Sequence, residues 1–217
     1  FAPCQVNQED RDRLMLSLTR NEAIPYEAMK LGMLWDWVTF PEFLNTVDRI
    51  PKGVNVISYV PLSPIYSWVV GYDDSKKRRP SESEMEQMFH LIREGLDAGA
   101  CGWSAQVLGP GSVQRDYDGT PMVTDLMTDD EILAFGRVLG ERDEGSIELA
   151  YSSGSMADEI SQIPKATKSL MERLAGVSNR PIIYQAVIPF DSDPDQHHIR
   201  LRWLEECAER RLPVYGQ

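Results

Sequence analysis

The chain has 217 residues, with 42% hydrophobic and 26% charged positions, and 34 acidic against 22 basic side chains give a net charge of −12. That is enough chain to bury a full core, in one large domain or two small ones. The charge argues against nucleic acid or an anionic membrane surface as partner, and no apolar run approaches the ~20 residues needed to span a bilayer. Three widely spaced cysteines, Cys4, Cys101 and Cys207, form neither a disulfide framework nor a metal knuckle, which fits reduced thiols in a cytoplasmic protein.

Residues 1–52 read as a helical and loop lead-in. Asp10 to Leu18 looks helical, and Trp35-Asp36-Trp37 leads into a short helix from Pro41 to Ile50. From residue 53 strand and helix signals alternate. Gly53 to Val60 is β-branched and stopped by Pro61, so a strand is expected. The basic run Lys76-Lys77-Arg78-Arg79 precedes Pro80 and reads as a solvated loop. Ser81 and Glu84 form a capping box, in which each side chain satisfies an orphan backbone donor at a helix start. Behind it Met85, Met88, Phe89, Ile92 and Leu96 recur at helical spacing, Gly99 closes the helix, and Cys101 to Gln106 is the next strand.

The Gly-, Pro- and Asp-rich stretch from Val107 to Thr124 is too long for a simple connector, and loops of that length are usually functional or mobile. A second capping box, Thr128 with Glu131, opens a helix burying Ile132, Phe135, Val138 and Leu139. A strand follows near Ile147 to Tyr151, then a helix from Met156 to Leu174 interrupted by Pro164. Pro181 to Ile188 is the most apolar strand, as expected of one covered on both faces. Asp193-Pro194 opens a helix to about Arg211 with Leu201, Leu204, Cys207 and Ala208 inward, and Pro213 to Gly216 starts one more strand.

Five strands with intervening helices define an α/β chain with a parallel sheet. A complete (β/α)8 TIM-type barrel takes ~250 residues. The apolar, uncapped start at Phe1 and the stop just after Val214 favour the central part of one such barrel over an independent, open doubly wound sheet.

In a parallel barrel the chemistry sits at the far ends of the strands. The polar residues there, Ser104, Gln106, Tyr151, Ser153 and Gln185, are the candidate substrate pocket, with ordinary strand capping as the alternative reading. No reacting group is evident. His197 and His198 are neighbours and point ~100° apart on a helix, His90 lies on an amphipathic helix, and no HxH or HExxH pair occurs. Gly102-Trp103-Ser104-Ala105-Gln106 lacks the second glycine of a nucleophile elbow, and Gly109-Pro110-Gly111-Ser112 lacks the lysine of a phosphate loop.

A series of short motifs carries a resemblance: Phe1-Ala2-Pro3, Asp10-Arg11-Asp12, Ile24-Pro25, Trp35-Asp36-Trp37, Phe40-Pro41-Glu42-Phe43-Leu44, Gly53-Val54-Asn55-Val56 and Arg93 through Ser104, in that order. It resembles the N-acyl-D-amino-acid deacylase branch of the amidohydrolase superfamily from Phe1 to about Gln106, and more weakly through Arg180-Pro181 and Pro213-Val214-Tyr215. The resemblance implies a barrel hydrolase acting on an amide of a small-molecule substrate with a divalent metal, zinc by analogy. It places the HxH pair and an Asn-Cys-Gly cysteine ligand before Phe1 and the catalytic aspartate beyond Gln217, so no metal ligand is assigned within this chain, and Cys4 is not the ligand cysteine. A second chain completing the barrel, or a homo-oligomer, is one expected partner. Three departures stand out. Pro61-Leu62-Ser63-Pro64 and Tyr151-Ser152-Ser153-Gly154 occupy places where the family carries histidine, as does the segment around Gln185. The alternative is therefore a non-catalytic subunit or degenerate homologue with a structural or binding role.

Overall fold

The computed structural model describes residues 2–4, 8–153, 163–189, 191 and 194–217. Five parallel strands alternate with helices, an α/β arrangement, that of a partial (β/α)8 barrel. The chain divides into two compact units, one of residues 1–101 with 112–126 and the other of residues 102–111 with 127–217.

In the first unit three helices lead in: α1 (Gln8–Glu22), α2 (Tyr26–Gly32) and α3 (Phe40–Arg49). The last starts at a capping box, Thr39 with Glu42, that the sequence reading passed over. Behind the box, Trp37 and Phe40 are buried, and Phe43 meets the Trp37 ring edge-on at 5.4 Å. The strand expected over Gly53 to Val60 shrinks to β1 (Val60–Pro61). Residues 53–59 are not in a strand, and Val54 and Ile57 stand 73% and 78% exposed. β-branched composition favours an extended chain, but a strand exists only where its backbone groups find partners. Helix α4 (Leu62–Val70), unforeseen because Pro61 and Pro64 punctuate its start, follows at once; proline is tolerated in a first helical turn. After the single turn of α5 (Tyr72–Ser75), α6 (Glu82–Asp97) starts at the expected Ser81–Glu84 box and buries Met88, Ile92 and Leu96. A Cβ on Gly95 would sit 2.4 Å from Val60 Cγ2, so glycine lets this helix approach β1 closely.

The basic run is a turn with Lys77, Arg78 and Arg79 exposed, as expected of a solvated loop, and three of its side chains are also paired. Lys76 pairs with Asp116 at 2.5 Å and donates to Thr120 Oγ1 at 2.8 Å. Arg78 grips Glu84 with two hydrogen bonds of 2.7 and 2.8 Å, and Arg79 donates to the Leu126 carbonyl. The long loop is held by the same groups and by α1. Ser17 donates to Asp116, Tyr117 N donates to Ser17 Oγ at 3.0 Å, and Asn21 donates to the Arg115 carbonyl at 2.7 Å. Burial would raise the Asp118 carboxyl, but hydrogen bonds from Thr120 and the Lys76 charge outweigh it and lower it.

The Arg78 guanidinium and the Ser81 amide hold Glu84 down at about 2, against an ordinary 4.5. A depressed carboxylate contributes stability that is fully present above its unfolded value and lost as pH falls through the folded one. Urea midpoints of the wild type should therefore fall more steeply between pH 4.5 and 2 than those of Glu84→Gln, and parallel curves would refute the assignment. The effect is small because the pair lies at the surface.

The second unit carries β2 (Gly102–Val107), β3 (Ser146–Tyr151), β4 (Ile182–Gln185) and β5 (Val214–Gly216), all paired in parallel. Helices α7 (Asp129–Arg142), α8 (Lys165–Ser178) and α9 (His197–Glu209) alternate with them. The Thr128–Glu131 box opens α7, and Ile132, Phe135, Val138 and Leu139 are buried as expected. Pro164 directly precedes α8, which runs to Ser178; the expected start at Met156 lies outside the described residues, as does Asp193. β4 is covered on one face, since Ile182 and Tyr184 are buried while Ile183 and Gln185 are half-buried. The face of α9 also differs from expectation. Arg200, Trp203 and Cys207 are buried, Leu201 and Ala208 are exposed, and Leu204 is half-buried. Both stripes satisfy a helical period, and the large Trp203 ring, edge-on to Tyr184 at 5.4 Å, decides between them.

Candidate functional site

Strand side chains alternate between faces, so one anchored residue assigns all its neighbours. On β2 the anchor is Trp103, fully buried, with its indole N–H donating to the Phe135 carbonyl of α7 at 3.1 Å. On β4 it is Tyr184, packed on Trp203 of α9. Register then places Ile147 beside Trp103 and Ile182, all toward the helices. The opposite face carries Ser104 and Gln106 of β2, Glu148 and Ala150 of β3, and Ile183 and Gln185 of β4. Ser104 lies directly across from Glu148, and Ala150 is flanked by Gln106 and Gln185.

Three of the five expected pocket residues, Ser104, Gln106 and Gln185, thus share this face. Tyr151 is in register with Val107 on the helix side, and its hydroxyl donates to Asp129 Oδ1 at 3.1 Å in the first turn of α7. Ser153 is drawn to α8: its Oγ lies 2.9 Å from Thr167 Oγ1, and its amide donates to the same oxygen at 3.3 Å. These two side chains serve the helix starts.

Sequence reasoning missed Glu148 and Gln217. Gln185 Nε2 donates to Glu148 Oε1 and, at 3.2 Å, to Gln217 Oε1. The Gln217 backbone joins the sheet too, its amide donating to the Tyr184 carbonyl at 3.1 Å. The signal for Glu148 was present: apolar Ile147 and Leu149 bracket it, and period-2 alternation sends it to the other face.

The thiols lie elsewhere. Burial pushes Cys4 up to about 11 and also raises Cys207. Both therefore stay protonated at neutral pH, whereas nucleophiles and metal ligands are thiolates. His90 is exposed on α6, and the His197 and His198 rings lie 4.1 Å apart at the start of α9, with His197 Nδ1 2.8 Å from the Pro194 carbonyl. Among the described residues no three His, Cys, Asp or Glu side chains are grouped to hold a metal. Glu148 is the one carboxylate among the strand residues of the site face, and it is engaged with Gln185. This donor set does not by itself fit a metal centre.

No family model matches the sequence. Over 103 residues it is 37% identical to uncharacterised proteins of Mycobacterium bovis and Mycobacterium tuberculosis, covering 45% of this chain and 16% of those proteins. Among solved structures, D-aminoacylase described as defining a novel subset of amidohydrolases superposes with a TM-score of 0.62 at 17% identity, over 89% of this chain and 36% of that one. A D-aminoacylase mutant in complex with copper chloride gives 0.64 at 17% identity over the same shares. A D-aminoacylase structure concerned with its binuclear metal centre gives 0.60 at 18%, over 91% and 37%. The chain therefore has the fold of a segment of D-aminoacylase, spanning little more than a third of it. It spans a still smaller part of the mycobacterial proteins.

Proposed function

We propose that this chain forms the central part of the barrel of an amidohydrolase-type hydrolase that breaks an amide or related C–N bond in a small molecule, with N-acyl-D-amino acids as the first substrates to try. The reading rests on the fold shared with D-aminoacylase over 89% of the chain. The gathering of Ser104, Gln106 and Gln185 on one sheet face supports it, with Gln106 and Gln185 near the strand ends where barrel enzymes bind substrates. In this reading the Ser104 hydroxyl donates to a substrate carbonyl and the amide oxygen of Gln185 accepts from its N–H. A divalent metal, zinc by analogy, belongs to the same reading, with its ligands supplied from outside this chain by more of the same polypeptide or by a second chain. The three free cysteines suit a cytoplasmic setting, and no described helix is long and apolar enough to cross a membrane.

A second reading is favoured by what stands where the resemblance expects histidine. Ser153 is tied to Thr167, and Gln185 to Glu148 and Gln217. In a degenerate homologue such side chains would be structural. Metal analysis of the full-length native protein, together with assays on N-acetyl-D-amino acids, N-acetyl-L-amino acids and cyclic amides, separates the two. Bound metal and chelator-sensitive turnover of at least one amide is the expected result. A folded, metal-free protein inert to the whole panel would establish the binding role instead.

A further inference from the structure

On the site face Gln106 and Gln185 flank Ala150. Neighbouring strands lie about 4.8 Å apart, so the two glutamine backbones are separated by about 10 Å with a methyl group between them. The small residue leaves a notch, and Glu148, two residues earlier on the same strand, forms one wall of it.

The polarity of that wall is fixed by its hydrogen bonds. A glutamine amide nitrogen carries two hydrogens. Those of Gln185 go to Glu148 Oε1 and Gln217 Oε1, so what this amide has left to offer a ligand is its carbonyl oxygen, an acceptor. An ionised carboxylate only accepts, and of its four lone-pair sites Gln185 takes up one. No Lys or Arg occupies an inward position of β2, β3, β4 or β5, where Glu148 is the sole charge. Acceptor atoms around one negative charge suit a ligand that brings donors and positive charge. The carboxylate end of an N-acyl amino acid would meet repulsion there.

We propose that this notch is a subsite for a protonated amine of a small molecule, seated over Ala150 and held by Glu148, with Gln185 positioning the carboxylate. The subsite deepens the hydrolase reading by naming the charge of one end of the substrate, and it rests on this face lining the substrate chamber.

Three probes that share an acetamide and differ at the other end test it on the full-length protein: N-(4-aminobutyl)acetamide, N-butylacetamide and 4-acetamidobutanoate. Titration calorimetry at pH 7 should show the amine bound about tenfold or more tighter than the neutral amide, as a hydrogen bond to a charged group implies, and the anion weakest. Glu148→Gln should bring the amine down to the level of the neutral probe and leave that probe unchanged, while Glu148→Asp keeps part of the preference. Ala150→Leu fills the notch and should weaken the amine probe even if the Glu148 variants fold poorly. Equal affinities for the three probes, preference for the anion, no binding of any probe, or an amine preference that survives in folded Glu148→Gln overturns the subsite. Amine preference without hydrolysis of any amide would sink the hydrolase reading and leave the subsite standing. Turnover without charge preference does the reverse.

Discussion

Gly102→Ala is expected to cost the full-length protein about 4 kcal/mol or more of stability, a loss in the exceptional range for one methyl group. Gly102 has φ +140°, where L side chains are strained, and a Cβ built there falls 1.7 Å from the carbonyl oxygen of Ser146 and 2.7 Å from that residue's nitrogen and carbonyl carbon. Ser146 is its register partner on β3. The obstacle is thus paired backbone, which cannot rotate aside as a side chain would. The added methyl must prise β2 from β3 at the start of their ladder, and Ser104–Glu148, the next inward pair, would separate with it. Gly111→Ala is the control, since nothing lies within 4 Å of its Cβ, and surface changes of that kind usually stay within about 0.5 kcal/mol. Guanidinium midpoints of both variants check the claim; a loss under about 1 kcal/mol for Gly102→Ala would show that the strand pair yields.

Trp103→Ala should cost about 3–5 kcal/mol, the usual range for emptying a large buried aromatic site. The side chain is fully buried, its ring meets Phe135 edge-on at 6.3 Å, and its N–H is satisfied by the Phe135 carbonyl. Trp103→Phe keeps a ring and loses that hydrogen bond, so about 1–2 kcal/mol is expected from the bond and the smaller volume. A double-mutant cycle with Phe135→Leu isolates the ring contact, with about 0.5–1.5 kcal/mol of coupling expected. Additivity within error would show that the two rings act independently.

The helix starts were legible because a capping box is written in four residues. Ser81 with Glu84 and Thr128 with Glu131 both form as read, and Thr39 with Glu42 carried the same signal. Strands β2, β3 and β5 lie within a residue of their expected bounds, because turn residues and proline punctuate them locally. The Gly53–Val60 strand failed for the complementary reason. Propensity extends the chain there, but pairing is decided by a partner distant in sequence. In the candidate site the strand ends were readable and the parity was not carried through: Tyr151 marks the end of β3, yet it is Ala150 and Glu148 that share a face with Gln106 and Gln185.

By itself, then, the sequence determined the alternation of capped helices and short strands, and with it a parallel α/β sheet of barrel type, since these follow from interactions three or four residues apart. Only the tertiary structure decided that Trp203 and not Leu201 faces the sheet, that Lys76 belongs to Asp116 forty residues away, and that Glu148 joins Gln185. Each of those choices lies between alternatives that satisfy the local pattern equally well. Packing volume and the pairing of buried polar groups separate them, and both are set by residues far apart in the chain.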